Sequence, residues 1–300
     1  MRKARIIPWF YRKRVYGMIN AADQESIVRT ITLAITTLFF ALTATAHPTD
    51  STEATYLGNE GIMVSDSHTK ILFDPLFPNG FGVYQMVPEE TRQALMAGDA
   101  PYDKIDAIFI SHMHPDHFSV DEVILYLETH SETQLFAPTQ AVEWMQEETD
   151  PNSPIFERVT GIPLERLDTP LSLTLDEMII DVVRIPHAGW PGRADVSNLV
   201  WRVTLSDSQT VMHMGDADPR DTHYAPHQDH WQATRTDTAF PPYWFFMMGD
   251  GPMLLQDRLN TEKAIGVHVP LKTPQELTAT GADFLHTPGE KRTLSKAETP

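Results

Sequence analysis

The sequence predicts a layered domain of α+β or α/β type built on two sheets. Three observations carry this expectation. Short apolar runs bounded by turn residues recur in both halves of the chain, helical patterns stand between them, and 300 residues can bury a sizeable core.

The elements follow in order. Thr55–Leu57, Gly61–Val64 and Ile71–Phe73 read as a meander of short strands separated by turns. Lys104–Ile110 (KIDAIFI) reads as a buried strand, and Val120–Leu127 as a helix with Asp121 and Glu122 at its N-terminal end. Gln134–Ala137 is a strand, and Thr139–Glu148 a helix with Val142 and Met145 on one face. Leu171–Leu175, Met178–Ile185, Asn198–Leu205 and Thr210–Met214 read as successive strands. After a polar loop come a strand at Tyr243–Met248, with Met247 and Met248 in the core, and a helix near Met253–Leu259. Ala264–Val269, a helix near Thr273–Thr280 and Phe284–Leu285 complete the series. No internal repeat is visible.

Residues 1–46 have a different composition from the rest. Arg2, Lys3, Arg5, Arg12, Lys13, Arg14 and Arg29 precede an apolar run from Ile31 to Leu42, which ends in Ala44-Thr45-Ala46. A basic leader, a short apolar stretch and a small-residue exit form a secretory signal, with cleavage expected after Ala46. The run is too short for a bilayer span, which takes about 20 apolar residues. Residues 47–300 are then the mature domain, periplasmic or secreted, with no stable membrane span. The whole chain has 23 basic and 41 acidic residues, a net charge of -18; losing the leader's seven and two leaves 16 against 39, or -23. Such a surface repels phosphate backbones and argues against nucleic acid as a partner. There is no cysteine, which excludes disulfides, thiolate metal sites and thiol nucleophiles. Composition says nothing about oligomeric state.

The chemistry is concentrated in Ser-His-Met-His-Pro-Asp-His, residues 111–117, directly after the apolar strand. His112 and His114, two apart on an extended segment, point the same way and can grip one ion, and the following turn brings in Asp116 and His117. Imidazole nitrogen and carboxylate oxygen suit zinc, with manganese or iron as competitors. Further ligands are needed for two open ions. His187, Asp216 and His268 each follow an apolar strand, where the sheet holds a side chain rigidly at an open rim. An isolated histidine is more often a surface or hydrogen-bonded core residue; the shared placement after strands is what singles these out.

This order of residues resembles the metallo-β-lactamase superfamily over roughly residues 53–290. The segments TYLGNEGIMV, ILFDPLF, PHAGWPGRADVSNLVWRV and TPGE look most like a branch that contains ascorbate-6-phosphate lactonase and the phospholipase D acting on N-acyl-phosphatidylethanolamine. The resemblance implies a four-layer αββα sandwich with two divalent metal ions on one edge, between two pseudo-repeated halves. It implies that His112, His114 and His187 hold the first ion, that Asp116, His117 and His268 hold the second, and that Asp216 bridges them. Asp74, at the end of ILFD, matches a buried aspartate that orients the ligand loop; read by itself it is equally an Asp-Pro turn.

A bridged pair of ions would share a water whose pKa falls to about 7, giving a hydroxide at neutral pH that Asp116 would orient. The expected activity is hydrolysis of an ester, lactone or phosphodiester in a small-molecule or lipid-like substrate. A non-catalytic zinc-binding protein and a β-lactam hydrolase are the alternatives. Trp190 and Arg193 are candidate substrate contacts, although Arg193 could equally be tied up in a surface salt bridge. His223, His227 and His230 read as solvated or pocket-rim residues or, failing that, an extra metal or substrate contact, with Pro226 favouring a loop. His213 reads as structural, and Gly249-Asp250 as a turn and not a ligand.

Overall fold

Strand alternation puts successive side chains on opposite faces, and the third strand shows where each face goes. In the computed structural model, which describes residues 51–206 and 209–296, Ile71 and Phe73 face one buried layer and Leu72 faces another. The expected leader, residues 1–46, lies outside the described residues.

The first sheet has the order β13-β1-β2-β3-β4-β5-β6. Its strands are β1 (Glu53–Gly58), β2 (Gly61–Ser65), β3 (Lys70–Phe73), β4 (Ala107–Phe109), β5 (Gln134–Pro138), β6 (Val159–Ile162) and β13 (Lys291–Thr293). The second has the order β12-β11-β10-β9-β8-β7. It is built from β7 (Leu171–Leu175), β8 (Met178–Arg184), β9 (Leu199–Thr204), β10 (Thr210–His213), β11 (Thr236–Phe240) and β12 (Thr261–Ala264). Each sheet starts as an antiparallel meander and then turns parallel, at β3–β4 in the first and β10–β11 in the second. The same plan twice gives two similar halves, a repetition carried by topology and not by sequence.

Three apolar layers hold the sandwich together. Between the sheets, Tyr56, Ile62, Phe73 and Phe109 meet Ile180, Val182, Trp201 and Val211. Outside the first sheet, Leu95 of α1 (Glu89–Ala97), Val123 and Leu127 of α2 (Val120–Thr129) and Met145 of α3 (Thr139–Glu148) cover Leu72, Ile108 and Leu135. Outside the second, Trp231 of α4 (Gln228–Ala233) and Phe245 of α5 (Trp244–Met247) cover Val200, Met212 and Ala239. The architecture is the expected αββα sandwich in the α+β class.

Several local expectations are corrected. Tyr243–Met248 is not a strand: Trp244–Met247 forms a helical turn, and Met247 and Met248 are 41% and 44% exposed instead of lying in the core. Gly249-Asp250 accordingly follows a helix. The strand near the last expected ligand is Thr261–Ala264, and Ile265–Val269 makes only isolated bridges. Strands β6, β11 and β13 and helix α1 were not anticipated, because Thr236–Phe240 (TDTAF) and Lys291–Thr293 (KRT) lack a clear apolar pattern.

Candidate metal centre

The site is made at strand ends. The loop 111–118 follows β4, His187 follows β8, Asp216 follows β10 and His268 follows β12. The main chain ties these loops together before any ligand chemistry is considered. Ala188 N–H donates to the Asp216 carbonyl at 2.7 Å, and Asp218 N–H donates to that of Pro186 at 2.8 Å. Asn198 accepts from Asp216 N–H at 3.0 Å through Oδ1 and donates through Nδ2 to the carbonyls of Ile185 and Met214. Gly215 has φ +52, and a Cβ there would meet Asn198 Oδ1 and Ser111 Cβ at 2.5 Å, so only glycine lets the Asp216 loop approach the histidine loop so closely. The buried Trp201 indole N–H donates to the Ile110 carbonyl at 3.0 Å, anchoring the start of the histidine loop to the second sheet.

The expected side chains form two groups. In the first, His114 Nδ1 lies 3.0 Å from His112 Nε2 and 3.1 Å from His187 Nε2. In the second, Asp116 Oδ2 lies 3.7 Å from His117 Nε2 and 3.6 Å from His268 Nε2. Asp216 spans both: Oδ2 is 3.1 Å from His187 Nε2, and Oδ1 is 2.9 Å from His268 Nε2 and 3.4 Å from His117 Nε2. Two zinc ligands at bond lengths of 2.0–2.1 Å and a tetrahedral angle stand about 3.3 Å apart, so these spacings fit ligand sets.

The fit to metal is also visible in what these atoms do not do. His117 Nε2, His268 Nε2 and Asp216 Oδ1 are buried and hydrogen-bonded to nothing. Buried polar atoms without partners are costly, and atoms this close without hydrogen-bond geometry are aimed at a common point. Burial, with His117 nearby, pulls His112 well below the usual imidazole range, and burial with His187 brings His114 down to about 4, so both are neutral ligands at pH 7. His117 behaves in the opposite way. Burial lowers it, but the carboxylates of Asp216, Asp74 and Asp116 outweigh burial and hold it well above the usual range. The acidic pocket thus draws positive charge to the place a cation would take. Asp216 is held low despite its burial by His268 and His117.

Asp74 lies against the start of the histidine loop. Fully buried, it accepts from Ser111 N–H at 2.7 Å through Oδ1, and its Oδ2 accepts from Ser111 Oγ at 2.5 Å and pairs with His117 Nδ1 at 2.8 Å. His117 is thereby turned so that Nε2 faces the group. The Ala188 carbonyl does the same for His187, 2.7 Å from Nδ1.

Two residues of the GNEG turn escaped the sequence reading. Asn59 Nδ2 donates to the Asp116 carbonyl at 2.9 Å, while the Asn59 carbonyl accepts from His268 N–H at 3.1 Å, so one buried side chain and its backbone join both ends of the second group. Glu60 is fully buried with neither carboxyl oxygen hydrogen-bonded, 3.9 Å from His117 Nδ1 and 3.5 Å from His213 Nε2, and burial raises its carboxyl well above the ordinary range. A lone Asn-Glu pair in a turn offers no sequence signal for either role. His213 is structural as expected: it stacks on Phe73 and bonds the Glu60 carbonyl at 3.0 Å.

Of the expected substrate contacts, Arg193 reaches the centre. It is exposed, its Nη1 is 3.4 Å from His114 Nε2, and among the described residues no carboxylate pairs with it, which removes the salt-bridge reading. Trp190 is half-buried beneath Arg166, 5.1 Å from the ring centre. His223 and His227 correct the expectation of solvated or rim residues. Both are buried in short 3-10 turns, His223 against Trp190 and 3.5 Å from Asp218 Oδ1. Asp218 itself is held low, against its burial, by His223 and the Arg220 fork. A cavity of about 790 Å³, walled by Arg220, Met248, Met253, Leu254, Asp257 and Arg258, begins beyond Pro219; no side chain of the two groups lines it.

Residues 53–242 match the beta-lactamase superfamily domain. The match covers more than half of the chain, and the protein belongs to that superfamily. Among solved structures it is similar to a possible metal-dependent hydrolase from Veillonella parvula, at 16% identity and a TM-score of 0.57 over 81% of this chain and 100% of that one. Igni18, a metallo hydrolase from the archaeon Ignicoccus hospitalis, is similar at 17% identity and a TM-score of 0.54, over 81% and 97%. An isothiocyanate hydrolase from Delia radicum gut bacteria is similar at 14% identity and a TM-score of 0.53, over 80% and 98%. At such identities the likeness is one of fold.

Proposed function

We propose that this protein is an exported metal-dependent hydrolase that uses two divalent ions, zinc foremost with manganese or iron as alternatives, to cleave an ester, lactone or phosphodiester. The observation that carries the reading is Asp216, whose two oxygens face two separate groups of imidazoles. His112, His114 and His187 would hold one ion, and Asp116, His117 and His268 the other, with Asp216 shared. Bound there, divalent ions supply Lewis acidity and a water acidic enough to act as nucleophile near neutral pH.

The protein's own residues set the rest. Asp116 turns Oδ2 towards its group, and its carboxylate would accept a hydrogen bond from the attacking water and so orient it. Asp74 and Asn59 keep His117, Asp116 and His268 in place, so that little reorganisation accompanies reaction. Arg193, beside His114 and paired with no carboxylate among the described residues, meets an anionic part of the substrate, with Trp190 on the same loop as a second candidate contact. The segments 55–64, 71–77, 186–203 and 287–290 resemble the lactonase and phospholipase branch, which favours a small-molecule or lipid-like substrate over a β-lactam. Residues 1–46 read as the export leader, and among the described residues no helix is long and apolar enough to cross a membrane.

The test is elemental analysis joined to turnover on a panel of esters, lactones, phosphodiesters and a chromogenic β-lactam. Two ions per chain and turnover on one of the first three classes are expected, and His114→Ala or Asp116→Ala should abolish it. Hydrolysis that persists after metal removal overturns the reading. Two bound ions with no turnover on any substrate would favour a metal-binding protein instead.

A further inference from the structure

Two phenols lie beside the second group without any assigned task. Tyr84 comes from the loop between β3 and α1, and its ring meets His268 edge-on with centres 4.0 Å apart. That loop is fastened to the loop of His268: Tyr84 bridges Pro270, and Leu271 N–H donates to the Val83 carbonyl at 2.7 Å. It is also pressed on the sheet at Gly58, where a Cβ would stand 2.8 Å from the backbone of Met86 and Val87. Tyr243 follows β11, and its N–H donates to the Val267 carbonyl at 2.8 Å, one residue before His268. The neighbouring Trp244 ring lies 5.3 Å from His268. Both tyrosines are therefore placed by backbone ties to the His268 loop.

Their hydroxyls are free. Neither phenol oxygen has a hydrogen-bond partner among the described residues, and both residues are only half-buried, so a ligand can reach them. Tyr84 stands directly against His268, and Tyr243 sits on the loop bonded to the residue before it. A phenol is a donor, and a donor beside a centre that attacks a carbonyl or phosphoryl group can bond the oxygen that gains negative charge.

We propose that Tyr84 and Tyr243 contact the substrate, donating hydrogen bonds to the oxygen that becomes anionic when the scissile bond is attacked. The inference rests on the hydrolase reading and extends it. The substrate then lies between Arg193 on the His114 side and the two tyrosines on the His268 side. The phenols keep their protons throughout, so they alter the stability of the tetrahedral species and not the balance of the reaction. The substrate class this fits is an acyl or phosphoryl compound that presents an oxygen to that side of the centre.

The test uses full-length protein reloaded with zinc, with Tyr84→Phe, Tyr243→Phe and the double variant. Methylphosphonate, a small tetrahedral anion, is the binding probe, followed by calorimetry, alongside zinc content and steady-state kinetics on any substrate the wild type cleaves. Each Phe variant should retain the zinc content and unfolding midpoint of the wild type and bind methylphosphonate about tenfold more weakly, the scale of one hydrogen bond to a charged group. Its kcat should fall about 100-fold with KM little changed, as when an oxyanion donor is removed. Wild-type protein that binds no methylphosphonate, or Phe variants that bind it as the wild type does, overturns the assignment. Failure of the hydrolase reading is distinguishable: tyrosine-dependent binding would persist while no member of the substrate panel is cleaved.

Discussion

At the scale of single residues, the centre is set by groups that would not touch an ion. Asp74 takes φ +39, is fully buried and spends both oxygens on Ser111 and His117. Removing it frees His117 to rotate and leaves the Ser111 N–H without its acceptor. Outer carboxylates of this kind are worth about 10–100-fold in metal affinity. Asp74→Ala should therefore weaken zinc binding by about that factor, measured by competition with a chromogenic chelator. Asp74→Asn keeps the shape and tolerates a left-handed backbone, so it should lose less; equal affinity in all three proteins would remove Asp74 from the centre. The candidate ligands could be read from the chain because their spacing is itself chemical: two histidines two apart, then an Asp-His pair, with single residues after later strands. Asn59 and Glu60 could not, since their importance comes from the position of Asp116, His268 and His117, which lie far along the chain.

At the scale of elements, strand alternation decided what was legible. Runs such as Ile71–Phe73 and Met178–Ile185 are apolar enough to declare themselves, and they locate the ends at which the candidate ligands sit. Tyr243–Met248 is apolar throughout, and periodicity cannot separate a buried strand from a helical turn in so short a run. The histidines of the polar loop were misplaced for a related reason. Trp231 and Tyr224 are buried there and carry the loop down onto the second sheet, taking His223 and His227 with them. His230 shows the consequence in titration. Packed on β9, with Nε2 3.3 Å from Arg202 Nη2, it is lowered to about 4 by burial and then by the Arg202 charge. The folded protein thus holds His230 neutral, while the unfolded chain binds a proton near pH 6.5. Between these values the unfolded state carries more protons, so this contribution to stability is complete above about pH 6.5 and declines as pH falls towards 4. His230→Gln should flatten that part of the profile. The check is the difference in unfolding midpoint between wild type and variant at pH 7 and pH 5; a constant difference would mean that His230 titrates alike in both states.

At the scale of the whole molecule, the centre joins what the fold keeps apart. Residues 112–117 belong to the edge of the first sheet, and His187, Asp216 and His268 to that of the second. Apolar packing between the sheets brings these edges close, but it also gathers Glu60, Asp74, Asp116 and Asp216 into one buried space among the imidazoles. Without metal, that concentration of acid opposes the docking of the two halves; with metal, the same carboxylates attract it. Because the unfolded chain has no preformed site, the free energy of binding is added to that of folding. Free zinc at about 1,000 times the dissociation constant adds roughly 4 kcal/mol for one site. In a domain of this size that corresponds to a rise of about 10 °C in Tm. Chelator-stripped protein titrated with zinc should accordingly show its unfolding midpoint climb in proportion to the logarithm of free zinc. His268→Ala should lose the part of the rise that belongs to the second group and keep the part that belongs to His112, His114 and His187. A midpoint that does not move with zinc would mean that the two edges are held by packing alone and that the convergence of imidazoles on Asp216 has no part in stability.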